Sequence, residues 1–148
     1  MKHPNSLLSY LLVACQFAGM LLVCIPFAGE HGPQWGLIPG VAGAVLGVAT
    51  LIYNKIGNFN IVPEVKSDAR LITGGPYRYI RHPMYTALLL VMAGIAVYNA
   101  HLINYLGLLL VTVAVFLKAN KEERYLRERF PRYTDYAVNT WRFLPYIY

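Results

Sequence analysis

Met84-Tyr-Thr-Ala-Leu-Leu-Leu-Val-Met-Ala-Gly-Ile-Ala-Val-Tyr98 and Leu102-Ile-Asn-Tyr-Leu-Gly-Leu-Leu-Leu-Val-Thr-Val-Ala-Val-Phe-Leu117 are two apolar runs parted only by Asn99, Ala100 and His101. Neither run alternates, and neither keeps a polar stripe at helical spacing, so neither reads as a strand or a surface helix. Each is short for a membrane helix, and the three-residue joint predicts a tight helical hairpin in a thinned bilayer. Two longer blocks precede them, Ser6 to Ala28 and Trp35 to Tyr53. Blocks of about 20 residues match a hydrocarbon core of roughly 30 Å. The first block is long for a signal peptide and lacks an Ala-x-Ala site before Glu30, so it reads as a membrane helix. The chain has 148 residues, 57% hydrophobic and 14% charged, which is too little charge for a soluble domain of this size. The fold class is therefore an all-α integral membrane protein with about four transmembrane helices, spanning roughly 6–28, 35–53, 84–99 and 102–118, in one domain.

The net charge is +6, and its placement is informative. Lys2 precedes the first block. Lys55, Lys66, Arg70, Arg78 and Arg81 lie between the second and third, and Lys118, Lys121, Arg124, Arg127, Arg129, Arg132 and Arg142 follow the apolar part of the fourth. Four spans put every cation on one side, which the positive-inside rule makes cytoplasmic, along with both termini. The compact size and the lack of a targeting segment point to a bacterial inner membrane. Topology and contact with membrane lipids account for most of these cations, and nucleic-acid binding need not be invoked. Gly36, Gly40, Gly43 and Gly47 bring small residues onto one helix face and predict close helix packing. Cys15 and Cys24 point to nearly opposite faces of one helix and cannot pair. The histidines have no metal-ligand spacing, so no metal site is expected.

Two polar segments, 54–83 and 119–148, predict a cytoplasmic cap. The helix of the fourth block should continue past Lys118 as a charged helix, with Glu123 and Arg127 one turn apart, until Pro131 breaks it. Tyr133, Tyr136, Trp141, Phe143, Tyr146 and Tyr148 then suit a segment lying at headgroup level. In the loop, Gly74-Gly75-Pro76 is a turn and Pro83 fits the first position of the third helix. That puts His82 at the helix N-terminus, beside free backbone N–H groups that favour a carboxylate or phosphate. An ordinary helix start with a snorkelling Arg81 explains the same residues. Glu122 and Glu123 are acids among cations, readable either as ligand contacts or as a solvated salt-bridged face. The hairpin should bring His82 and Glu122 together. A cation-rich turn facing an acidic pair suits a zwitterionic ligand such as S-adenosylmethionine, and the Gly-x-Gly-x-x-Gly and P-loop fingerprints are absent.

These residues resemble the isoprenylcysteine carboxyl methyltransferases and, more broadly, the membrane phospholipid methyltransferases. The likeness runs from about Asn58 to Pro145. It is strongest in Gly75-x-Tyr77-x-x-x-Arg81-His82-Pro83-x-Tyr85, with Asn58-Phe-Asn60, Lys66-Ser-Asp68 and Leu71-Ile72-Thr73 upstream. Downstream it continues in Lys118-x-x-x-Glu122-Glu123-x-x-Leu126-x-x-x-Phe130 and Arg142-x-x-Pro145. It implies that Arg70, Leu71, Ile72, Tyr77, His82, Pro83, Met84, Tyr85 and Glu122 line S-adenosylmethionine, under a closing tail. Methyl transfer would go to a lipophilic small molecule or lipidated substrate arriving from the bilayer. Arg81, Lys118 and Arg142 would orient an anionic acceptor, and Glu123 or a tyrosine would assist an amine. Lys118 stands where the family usually has an arginine, and a lysine cannot make a forked contact to a carboxylate. Ala87 and Pro131 stand where glycines are usual. Three other readings remain: a phospholipid N-methyltransferase, a sterol-type reductase using NADPH, which shares the Arg-His-Pro-x-Tyr element, and a non-enzymatic membrane protein.

Overall fold

The long apolar blocks do become helices, because in hydrocarbon only a helix satisfies its own backbone within one segment. A computed structural model describes residues 6–27, 31–54, 63 and 70–147. The upstream motifs at 58–60 and 66–68, and Lys2, Lys55, Lys66, Ala28 and Tyr148, lie outside these residues.

Helix α1 is Ser6–Cys24, α2 is Leu37–Asn54, α3 is Pro83–Asn99, α4 is Leu102–Arg129 and α5 is Tyr133–Val138. Helix α1 stops short of the sequence boundary, and residues 25–27 are not helical. A 3-10 turn over Gln34–Gly36 leads into α2. Among the described residues three helices are long and apolar enough to cross a membrane, those at Leu7–Cys24, Gln34–Asn54 and Leu102–Arg129, while Pro83–Asn99 is a shorter apolar helix. The fold is all-helical there, with one isolated parallel bridge between Ile80 and Trp141. The protein is an integral membrane protein. Large apolar side chains such as Leu7, Leu21, Ile38, Val45, Ile52 and Leu109 are exposed on α1, α2 and α4, a surface that lipid covers.

The joint between α3 and α4 is as tight as its sequence implies. Ala100 takes a left-handed conformation (φ 52°) and its N–H returns to Ala96 O, closing α3 before α4 starts. Yet the two helices do not pair chiefly with each other. Helix α3 packs on α2, and α4 packs on α1. Glycine decides this. Any Cβ on Gly94 would lie 2.8 Å from Gly40 N, and one on Gly43 would lie 2.6 Å from Ala87 O, so α2 and α3 touch backbone to backbone. Gly19 and Gly107 make the same approach between α1 and α4. The end of α1 has no glycine cap, and its orphan carbonyls find donors in the hairpin instead. Asn104 Nδ2 lies 3.0 Å from the carbonyls of Leu22, Val23 and Ile25, and Asn99 Nδ2 donates to Val23 O at 2.9 Å. Between the two pairs lies a core of Val23, Met92, Ala96, Val111, Val115, Ala119 and Phe143.

Antiparallel packing gathers the start of α1, the end of α2, the start of α3 and the end of α4 at one end of the bundle. Lys121 Nζ donates to Ser9 Oγ there, and the left-handed Gly75 (φ 58°) lies flat against the Tyr53 ring, where a Cβ has no room. All the described lysines and arginines are at this end.

Candidate functional site

The charged end is organised by α4. Its apolar run ends at Leu117 and the helix continues unbroken, carrying Lys118 and, one turn later, the adjacent Glu122 and Glu123, until Phe130 caps it ahead of Pro131. From the facing side, Pro83 starts α3 and places His82 at its N-cap, with no side-chain cap of its own. The two meet. His82 Nε2 lies 3.1 Å from Glu123 Oε1, and His82 Nδ1 lies 3.7 Å from Glu122 Oε2. His82 is buried, Glu123 is 9% exposed in its side chain, and Glu122 is 32% exposed.

Glu123 is the hub. Its Oε1 also lies 3.0 Å from Arg81 Nε and 3.2 Å from Arg142 Nε, and its Oε2 lies 3.3 Å from Arg127 Nη2. A buried carboxylate is tolerated only when charges and hydrogen bonds surround it in this way. The sequence put Glu122 opposite His82 and reserved Glu123 for proton transfer. In the structure His82 sits between both acids, and Glu123 makes the shorter contact and carries the ion pairs. A carboxylate committed to three cations and a histidine is a poor base, while the more open Glu122 keeps room for a ligand.

The tail closes on this cluster by backbone and side-chain bonds. Trp141 N donates to Tyr79 O at 2.9 Å, Arg81 N to Trp141 O at 2.8 Å, and His82 N to Arg142 O at 3.1 Å. The Arg81 guanidinium donates to Ala137 O at 2.8 Å and also to Thr140 O, at the C-terminal end of α5. Thr86 Oγ1 donates to Phe143 O at 2.8 Å, and Phe143 packs beside His82, with ring centroids 5.6 Å apart. Tyr136 Oη donates to Tyr77 O at 2.7 Å. Burial pushes the Tyr136 phenol up to about 12. Burial first, then the charge of Glu122, pushes the Tyr77 phenol well above its usual range. These phenols are neutral donors, not bases.

Tyr85 stacks on His82 with centroids 5.5 Å apart, and Lys118 Nζ lies 5.5 Å from the Tyr85 ring centroid. Pro83 is buried and Met84 half-buried in the same first turn of α3. Of the residues singled out in the sequence, Arg81, His82, Pro83, Met84, Tyr85, Lys118, Glu122, Glu123 and Arg142 are thus brought to one place, with Tyr77 at its edge. Arg70 is exposed and Leu71 and Ile72 half-buried in the non-helical segment leading to Gly74, and their part in a pocket rests on the sequence. Arg78 is exposed. Sequence reading missed Gln16, hidden in an apolar block, whose Oε1 accepts from Lys118 Nζ at 2.7 Å. No group of three or more His, Cys, Asp or Glu is placed to hold a metal among the described residues.

Residues 35–133 match the model of the phospholipid methyltransferase family. The chain belongs to this family. The matched segment holds α2, α3 and α4 with the whole His82–Glu122–Glu123 contact, while α1 and Arg142 lie beyond it. The chain is also similar to the cobalt-zinc-cadmium resistance protein CzcN of Cupriavidus metallidurans, 34% identical over 82 residues. That alignment covers 54% of this chain and 38% of the relative, so the chain spans well under two thirds of the relative's length.

Proposed function

We propose that this family member is a membrane methyltransferase that uses S-adenosylmethionine and methylates a lipophilic acceptor, with its charged end in the cytoplasm. The observation that carries the reading is the seating of His82, at the mouth of α3, between a locked Glu123 and an open Glu122. The donor set fits the cofactor: Glu122 suits ribose hydroxyls or an ammonium, and Tyr77 and Tyr85 offer neutral aromatic surface. When bound, S-adenosylmethionine supplies a methyl group made electrophilic by the adjoining sulfonium.

The chain's own share is alignment and exclusion of water. Glu123 fixes His82 and Arg81, and Arg81 fixes the tail that covers them. With the cofactor held beside Glu122, Tyr77 and Tyr85, the acceptor's lone pair would displace the sulfide from the methyl carbon, and the chain's part would be to keep the two in line. A carboxylate or thiolate acceptor leaves no proton to remove, which matches a site whose buried acid is committed elsewhere. Among such acceptors an isoprenylcysteine carboxylate is the one its sequence resemblance favours.

The test is calorimetric titration of the detergent-purified chain with S-adenosylhomocysteine, with NADPH in parallel. Micromolar binding of S-adenosylhomocysteine that is lost in Glu122→Ala supports the reading. Binding of NADPH alone would move the protein to the reductases, and binding of neither would leave a structural cap.

A further inference from the structure

Residues 138–147 face two ways. Phe143 turns inward and is buried beside His82, while Val138, Trp141, Leu144, Tyr146 and Ile147 stand outward, Tyr146 being 88% exposed and Ile147 76%. The turn that shapes the outward face is strained. Ile147 N donates to Leu144 O at 3.3 Å across Pro145 and Tyr146, and Tyr146 is left-handed, with φ 65°. A turn with proline second and a left-handed residue third is built for glycine or asparagine at the third place. A tyrosine holds that conformation at a cost, and what the chain gains is the position of its ring. The ring lies against Trp141, with centroids 5.7 Å apart, and widens the apolar face.

The setting says what covers this face. Arg78, Arg124, Arg127, Arg129 and Arg132 are exposed at the same end, against the exposed acids Glu128 and Asp135. A surplus of cations around outward aromatics fits an anionic lipid surface. That surface is close by. Trp141 pairs by backbone with Tyr79 and Arg81, just before α3 begins, and Tyr79 and Tyr53, at the end of α2, are exposed there as well. We infer that the outward face of 138–147 docks on the anionic surface of the bilayer that holds the bundle, and that this docking keeps the tail closed over His82. The same bonds serve both ends: Arg81 N and His82 N donate to Trp141 O and Arg142 O, so a tail lifted from the membrane uncovers the histidine. The inference goes beyond the methyltransferase reading and does not depend on it.

Trp35→Phe leaves Trp141 as the chain's single tryptophan and serves as the parent. The full chain is placed in phosphatidylcholine vesicles, with and without phosphatidylglycerol, whose acyl chains are brominated next to the headgroup. In the anionic vesicles bromine should quench Trp141 emission about twofold or more. Quenching should be weaker in the neutral vesicles, and high salt should narrow the difference. Amide exchange at 79–82 and 141–143 should be about tenfold slower in anionic vesicles than in neutral detergent. Tyr146→Gly separates docking from packing within the tail. It relieves the left-handed turn, so protection in detergent should hold, but it removes the ring and should cost most of the gain seen in anionic vesicles. Unquenched Trp141, quenching indifferent to phosphatidylglycerol, equal exchange in vesicles and detergent, or a Tyr146→Gly chain that matches its parent overturns the inference. Unquenched Trp141 with cross-links between tails would give the face to a second copy instead.

Discussion

His82 Nε2 and Glu123 Oε1 lie 3.1 Å apart, joining the first residue before α3 to the second acid of α4 across the top of a hairpin. Arg81 and Arg142 meet the same carboxylate oxygen. Removing the carboxylate leaves these cations buried without their common partner. Glu123→Ala is expected to cost about 3–5 kcal/mol of stability, the usual result of breaking a buried pair from one side. Thermal unfolding in detergent checks it, and a variant as stable as the wild type would show that Glu123 is no hub.

Glu122, a third exposed and 3.7 Å from His82, should behave differently. Glu122→Ala should change stability by no more than about 0.5 kcal/mol. It should weaken S-adenosylhomocysteine binding by about tenfold or more, some 1.4 kcal/mol. Equal losses of stability in the two variants would remove the division of labour between the acids.

Arg81 uses its fork: one nitrogen on Glu123, another on the carbonyls of Ala137 and Thr140. A lysine keeps the charge but cannot span both. Arg81→Lys should therefore retain the ion pair while loosening the tail, seen as faster amide exchange at 133–142 with little change in the core helices. Uniform exchange across the chain, or none, would contradict it.

The contact of α2 with α3 leaves no space for a side chain at Gly43, where a Cβ would stand 2.6 Å from Ala87 O. Gly43→Ala should destabilise by about 1–3 kcal/mol through overpacking. Gly47→Ala meets only Ala87 Cβ at 3.6 Å and should be tolerated, so the two midpoints should separate clearly in the same unfolding assay.

Much of this was legible in the sequence. Pro83 and the Asn99–His101 joint mark the hairpin, and Pro131 marks where α4 must stop. The cations' placement foretells the charged end that the bundle assembles. Other features depend on partners that one segment cannot name. The glycine stripe of α2 announces a close neighbour but not that α3, rather than some other helix, supplies Gly94. Adjacent residues on a helix point about 100° apart, so whether Glu122 or Glu123 meets His82 depends on the rotation of α4, fixed by its packing on α1. Gln16 carries no signal amid apolar neighbours until Lys118 is seen beside it.

The paired backbones of 79–82 and 141–142 also set an order of events. All four long helices leave the ribosome before Ala137, Thr140 and Trp141, the residues that Arg81 and Tyr79 grip. A nascent chain can thus be fully seated in its membrane while His82 still lacks its cover. The contact between His82 and the two acids is therefore the last part of the fold to be covered.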